Sequence, residues 1–148
     1  MSSDYRELLA EFNAQGVEYL VVGAHALAAH GRIRATKDLD VWVRPSRENA
    51  PRVIAALRAF GAPLYDLTED DLQTPGVVFK IGVAPVRIDV LTEISAVTFD
   101  EAWNERVATE FEGEPVSVLS RALLIRNKNA AGRKQDLADV EWLEENSS

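Results

Sequence analysis

Cysteine is absent from the 148-residue sequence, and histidine occurs only twice. Without thiols there is neither a disulfide frame nor a thiolate zinc site, and two imidazoles are too few for a His-rich metal centre. No apolar run is long enough to span a bilayer. The longest, Tyr19 to Ala29, is interrupted by Gly23 and His25. Asp4, Arg6 and Glu7 likewise break up any signal-peptide core. Positive charge is scarce, with 16 Lys and Arg against 24 Asp and Glu and a net charge of -8. That balance argues against strong non-specific nucleic-acid binding, which rests on surplus cations. The expectation is a cytoplasmic protein with no membrane partner.

What remains is ordinary for a globular chain, with 47% hydrophobic and 27% charged residues. The length fits one domain, residues 1–148, able to bury roughly 70% of its unfolded surface. Its core would run to about residue 95, followed by a hairpin and helices. No internal repeat, linker or low-complexity tract interrupts it.

Residues 18 to 22 read as a short buried strand ending on Gly23, and a small-residue helix from Ala24 to His30 follows. A basic loop, Gly31 to Lys37, leads into Asp38-Leu39-Asp40-Val41-Trp42-Val43. On a strand, Asp38 and Asp40 share one face while Leu39 and Val41 point into the core. Upstream, Ser3 opens a helix over Asp4 to Ala14, with Tyr5, Leu8, Leu9 and Phe12 at helical spacing. Downstream, Ser46 is a candidate N-cap for a helix from Glu48 to Phe60, closed by Gly61. Residues 62 to 76 read either as a short helix around Thr68 to Leu72 or as an acidic loop. Val77 to Ile81 and Val86 to Leu91 form a hairpin, placing Arg87, Asp89 and Leu91 on one face. A short helix over Phe99 to Asn104 comes next, then a second hairpin about Glu112-Gly113-Glu114. Ser120 caps a helix to about Asn129, and a last helix spans Lys134 to Glu144. The fold expected is α/β: a small mixed, twisted sheet with helices on one side and a C-terminal helical pair.

Asp38, Asp40 and Asp89 are the carboxylates that sit on strands between core-facing apolar residues. If their strands are neighbours, all three converge on one solvent-facing patch. Like charges that close together need a cation, and Mg²⁺ binds through a few carboxylates plus substrate phosphates. The glycine at the strand-to-helix turn adds backbone N–H groups that can meet a phosphate. The bland alternative makes Asp38 and Asp40 surface carboxylates paired with Lys37, Arg34 or Arg87. Lys128, Arg133 and Lys134 gather positive charge in an acidic chain, with Arg121 and Arg126 nearby, as a triphosphate or RNA end requires. Asp136 and Asp139 are spaced to hold Lys128 and Arg133 on one helix face. The alternative there is a helix pair whose surface charges neutralise one another. His25 lies within reach of a phosphate, though a backbone hydrogen bond is its commoner use. Arg32 and Arg34 suit pairing with Asp38 or the acidic run 69–71 as well as they suit substrate. Trp42 shares the Asp38/Asp40 face, where packing competes with base stacking.

At Gly23-Ala24, Asp38-Leu39-Asp40 and Arg87-Ile88-Asp89-Val90 the chain resembles the polymerase-β-like nucleotidyltransferase superfamily. That pattern is a Gly-Gly or Gly-Ser turn, Asp-x-Asp on the next strand, and a third Asp on a later strand. It is closer still to small bacterial nucleotidyltransferase-like proteins grouped with AbiEii-type toxins. Two stretches carry that likeness: Arg34-Ala35-Thr36-Lys37-Asp38-Leu39-Asp40, and the block from Asn127 to Asp139. The resemblance implies a nucleotidyltransferase-like fold and transfer of a nucleoside monophosphate from an NTP, with Mg²⁺ or Mn²⁺ on Asp38, Asp40 and Asp89. Asp89 would also act as base. Gly23 and Ala24 would form the phosphate turn, and Lys128 with Arg133 would bind the substrate phosphates. The acceptor it permits is a tRNA or other RNA end, a protein hydroxyl or a small molecule, in a toxin–antitoxin-type system or alongside another partner protein. The second implication is a catalytically inactive binding module. Position 24 departs from the Gly-Ser form of the turn, because alanine lacks the hydroxyl that would reach the phosphates.

Overall fold

Alternating burial along four of the strands builds the protein around a single sheet. The computed structural model describes residues 4–34, 36, 38–82 and 87–146. Its strands are β1 (Tyr19–Val22), β2 (Asp38–Val43), β3 (Val78–Ile81), β4 (Arg87–Leu91), β5 (Val107–Phe111) and β6 (Glu114–Val118). They form a six-stranded mixed sheet in the order β3-β4-β2-β1-β6-β5. β1 runs antiparallel to β2 and parallel to β6, and β2 runs parallel to β4. Both hairpins expected from the turn residues are present, β3 with β4 and β5 with β6. The connection expected at Gly82-Val83-Ala84-Pro85 falls mostly outside the described residues, as does the Ser3 cap.

The helices are α1 (Asp4–Ala14), α2 (Gly23–Ala29), α3 (Asn49–Phe60), α4 (Phe99–Asn104), α5 (Arg121–Ala131) and α6 (Lys134–Glu145). Between α3 and β3 the ambiguous stretch resolves into a loop with one 3₁₀ turn, Asp71–Gln73. Thr68 and Asp71 cap it by exchanging side-chain and backbone hydrogen bonds of 3.0 and 3.1 Å.

Helices cover both faces of the sheet, not one. Tyr19, Val21, Leu39, Val41, Val43, Ile88 and Val90 turn to a core shared with α1 and α3. Leu20, Val22 and Trp42 turn the other way, onto Leu27, Phe99, Leu123, Leu124 and Leu143. The central strand β1 is apolar on both sides, which requires two covering layers. A strand with one wet face would alternate with polar residues, and β1 does not. Trp42 belongs to this second core. It is 2% exposed and packs edge-on against Phe99 with centroids 5.0 Å apart, so it is packing and not a base platform.

Capping follows the sequence closely. Thr98 and Glu101 make a reciprocal capping box on α4, and the Ser120 side chain accepts from Leu123 N on α5. Gly61 and Gly132 close α3 and α5 in the left-handed conformation that glycine tolerates. Ser46 acts from two positions before the cap. It accepts from Asn49 N at 3.2 Å, while Glu48 occupies the cap itself. Asn49 is 2% exposed and latches three elements together, accepting from Glu18 N and donating to Glu18 O and Arg44 O. That latch pins the start of β1, the end of β2 and the start of α3, and so fixes the register of the acidic strand.

Candidate nucleotide and metal site

β2 and β4 are direct neighbours in parallel register, with Asp40 opposite Asp89 and Asp38 opposite Arg87. Side chains at paired positions of adjacent strands leave the sheet on the same side. Asp38, Asp40 and Asp89 therefore share the face on which Trp42 is buried, at the end of β2 where that core opens. The condition placed on the sequence reading, that the two strands adjoin, is met.

Thr36 sets the start of the strand. Its hydroxyl accepts from Asp38 N and donates to Asp38 O, both at 3.2 Å, a local turn that presents Asp38 at the mouth of the site. Gly23 serves a purpose that spacing alone does not show. Its φ of +68° is left-handed, and a Cβ there would lie 2.2 Å from Asp40 Oδ2. The glycine thus lets the Asp40 carboxylate lie against the strand-to-helix turn.

The electrostatics of this end are unbalanced. Burial pushes the Asp40 carboxyl up to about 6, helped by the charges of Asp89 and Asp38 and only partly countered by Lys80 and Arg133. Among the described residues Asp89 Oδ1 is buried with no hydrogen-bond partner, and the Lys80 ammonium stands 3.8 Å from it. Arg87 lies 3.7 Å from Asp38, with both side chains about half exposed. Of the alternative pairings for the acidic strand, Arg87 with Asp38 is present, Arg34 pairs elsewhere, and Lys37 lies outside the described residues. Among the described residues no three histidine, cysteine or carboxylate side chains are gathered closely enough to hold a metal ion as they stand. The donor set nevertheless fits a divalent cation. A carboxyl whose pKa is raised by burial and by neighbouring carboxylates, and a buried carboxylate oxygen without a partner among the described residues, are both relieved by positive charge, and Mg²⁺ completes its shell with water and phosphate.

Facing the acidic strand is a basic wall built by the C-terminal helices. Asp139 on α6 is fully buried and accepts from three cations. Arg32 Nε donates at 3.0 Å, Arg34 donates through both terminal nitrogens at 3.0 and 2.6 Å, and Lys128 Nζ donates at 2.9 Å. Although burial alone would raise it, the hydrogen bonds from Arg34 and Lys128 hold its carboxyl down at about 2. Asp136 binds Arg133 through both oxygens, 2.7 and 3.2 Å, and lies 3.5 Å from Lys128. The expected role of Asp136 and Asp139 in holding Lys128 and Arg133 is thus present in the structure. The Arg32 and Arg34 partners are not those expected: both arginines cross to Asp139 rather than to Asp38 or to the run 69–71.

A cavity of about 250 Å³ lies between the two walls. Gly23, Ala24, Asp38 and Asp40 line one side, and Lys128 and Arg133 line the other, with Arg34, Thr36, Gln135 and Asp136 completing it. Asp89 stands behind Asp40 on the neighbouring strand. Thr36 has a sequence signal, since it shares the alternation of Asp38 and Asp40. Gln135 has none. His25 does not face this cavity. Its ring is held edge-on by Tyr5 and Phe111 at 5.5 and 5.4 Å, and burial lowers its pKa. Among the described residues, no helix is long and apolar enough to cross a membrane.

Nothing matches the chain among protein-family models or curated proteins. Solved structures do match. A Thermotoga maritima protein provisionally called a nucleotidyltransferase is 13% identical, with a TM-score of 0.65 over 95% of this chain and 91% of its own. The lincosamide antibiotic adenylyltransferase LnuA, solved with lincomycin, is 11% identical, with a TM-score of 0.63 over 99% and 98%. The enzyme ANT(2")-Ia, solved with adenylyl-2"-tobramycin, is 16% identical, with a TM-score of 0.60 over 94% and 84%. At these identities the likeness is one of architecture, and the chain has the nucleotidyltransferase fold.

Proposed function

We propose that the protein is a metal-dependent nucleotidyltransferase that moves a nucleoside monophosphate from an NTP to an acceptor hydroxyl. The observation that carries this reading is the cavity with a carboxylate wall and a cationic wall facing each other, on a fold whose solved neighbours include adenylyltransferases. A magnesium triphosphate presents the complementary charges, its cation to the carboxylates and its phosphates to the cations.

Asp38, Asp40 and Asp89 would hold Mg²⁺ or Mn²⁺, which when bound neutralises the phosphates and the leaving group. Arg34, Lys128 and Arg133 orient the triphosphate, and Gly23 with Ala24 brings backbone close to it. Asp89, half-buried on β4, receives the proton of the acceptor hydroxyl. The acceptor oxygen forms a bond to the α-phosphorus, the bond to the β-phosphate oxygen breaks, and pyrophosphate leaves. An RNA end, a protein hydroxyl and a small molecule all supply such an oxygen. LnuA and ANT(2")-Ia, solved with lincomycin and adenylyl-tobramycin, make a small molecule the first to test. A non-catalytic module acting through a partner protein, as in a toxin–antitoxin pair, is the second reading; alanine at position 24, without a hydroxyl, favours it.

The test is calorimetric titration with each of the four NTPs, with and without Mg²⁺, on the wild type and on Asp40→Asn. Binding that requires both metal and Asp40 is expected. Binding indifferent to both would remove the acidic strand from the site.

A further inference from the structure

We infer that Asp139, which does not itself line the cavity, is the positioning residue that makes the basic wall a preformed seat for a polyphosphate chain. This inference rests on the nucleotide reading above but concerns the phosphate half of the site, which needs no metal to be assembled. Asp139 is 0% exposed and joins three cations drawn from two distant parts of the chain. Arg32 and Arg34 come from the loop that feeds β2, and Lys128 comes from α5. Of these, Arg34 and Lys128 line the cavity.

Four cations, Arg32, Arg34, Lys128 and Arg133, share only two carboxylates, Asp136 and Asp139. Two positive charges are left in surplus, and they face the acidic strand across the cavity. An unanchored wall of long side chains would lose rotamer freedom on meeting a phosphate. With Asp139 already holding Arg34 by two nitrogens and Lys128 by its ammonium, that loss occurs on folding. The same carboxylate ties the loop before Asp38 to α6, so the acidic strand and the basic wall keep a fixed separation.

Positioning and simple charge predict opposite signs, which makes the inference testable. Asp139→Asn removes a negative charge from beside the wall, so charge alone predicts tighter anion binding. Positioning predicts weaker binding, because three cations lose their common anchor. The second variant is Arg34→Lys. It keeps the charge and removes the planar fork that spans both Asp139 oxygens. The probe is inorganic tripolyphosphate, titrated calorimetrically into the full-length chain in EDTA, with circular dichroism confirming that each variant is folded. Wild-type binding weakened roughly tenfold in each variant is expected, the loss that follows from one charged hydrogen-bond arrangement. Should Asp139→Asn fail to fold, Asp139→Glu decides in its place, since it keeps the charge and displaces the anchor, so that charge alone predicts no change and positioning predicts weaker binding. Equal or tighter binding by the folded variants, or no binding by the wild type, would overturn the inference. The Asp40→Asn titration with Mg²⁺ and NTP reports on the metal reading separately, since tripolyphosphate in EDTA does not call on the acidic strand.

Discussion

Asp40 and Asp139 are both withdrawn from water, and the fold treats them in opposite ways. Asp139 has three cations within hydrogen-bond distance, and its carboxyl is held down at about 2. Asp40 has Asp89 beside it and Asp38 two residues away, and its carboxyl is pushed up to about 6. The first arrangement is complete without a ligand. The second is left with a charge deficit at a solvent-facing cavity, the condition in which perturbed groups mark functional sites. A buried ion cluster and an unbalanced acidic cavity wall can use the same residue type. Satisfaction of charge is what separates them.

The sharpest way to break this comparison is to neutralise each carboxylate in turn. Asp139→Asn should cost about 3–5 kcal/mol of folding stability, since it strands buried cations. Chemical denaturation measures this, and a loss under about 1 kcal/mol would mean the cluster is not an anchor. Asp89→Asn should abolish transfer while leaving the fold as stable as before, because it removes a like charge beside Asp40. Radiolabelled NTP turnover against thermal melting separates the two effects, and an unfolded variant would place Asp89 in the scaffold instead.

Asp40→Asn should stabilise the apo protein, by at most about 3 kcal/mol and nearer 1–2 kcal/mol after relaxation. A folded-state pKa above the unfolded value of 3.8 means that ionised Asp40 opposes folding. The penalty is full above pH 6 and fades as the pH falls through 3.8, below which both states are protonated. The stability gap between wild type and Asp40→Asn should therefore be widest near pH 7–8 and close near about pH 3. A gap independent of pH would show that the carboxyl is not strained by its neighbours. Asp139 has the reverse sign: its contribution is full above pH 4 and is lost as the pH falls through about 2. Gly23→Ala should cost about 1–2 kcal/mol of stability for a left-handed alanine. Its larger consequence is for binding, because the new Cβ displaces Asp40 Oδ2. Mg²⁺-dependent NTP affinity should fall more than melting temperature does.

The acidic strand was legible because alternation along Asp38 to Val43 is a local signal, set by strand geometry alone. Capping was legible at Ser120 and Gly61 for the same reason, whereas the Thr98–Glu101 box and the closing role of Gly132 emerge only in the structure. The glycine at position 23 could be read as a turn, yet its tight contact with Asp40 depends on two strands lying side by side. The partners of Arg32 and Arg34 were out of reach, because Asp139 lies more than a hundred residues away in sequence. Charge complementarity alone offers any arginine many carboxylates in a chain with 24 of them. Helices on one face were expected because the acidic face of β2 was read as open to solvent. Leu20, Val22 and Trp42 carry the contrary signal, an apolar second face that required its own cover.

The most direct measurement is a crystal structure grown with Mn²⁺ and a non-hydrolysable NTP analogue, with anomalous scattering used to place the metal. The account predicts Mn²⁺ on Asp40 and its acidic neighbours and the triphosphate against Arg34, Lys128 and Arg133. Phosphates lodged elsewhere, or a nucleotide bound with no metal at Asp40, would contradict it.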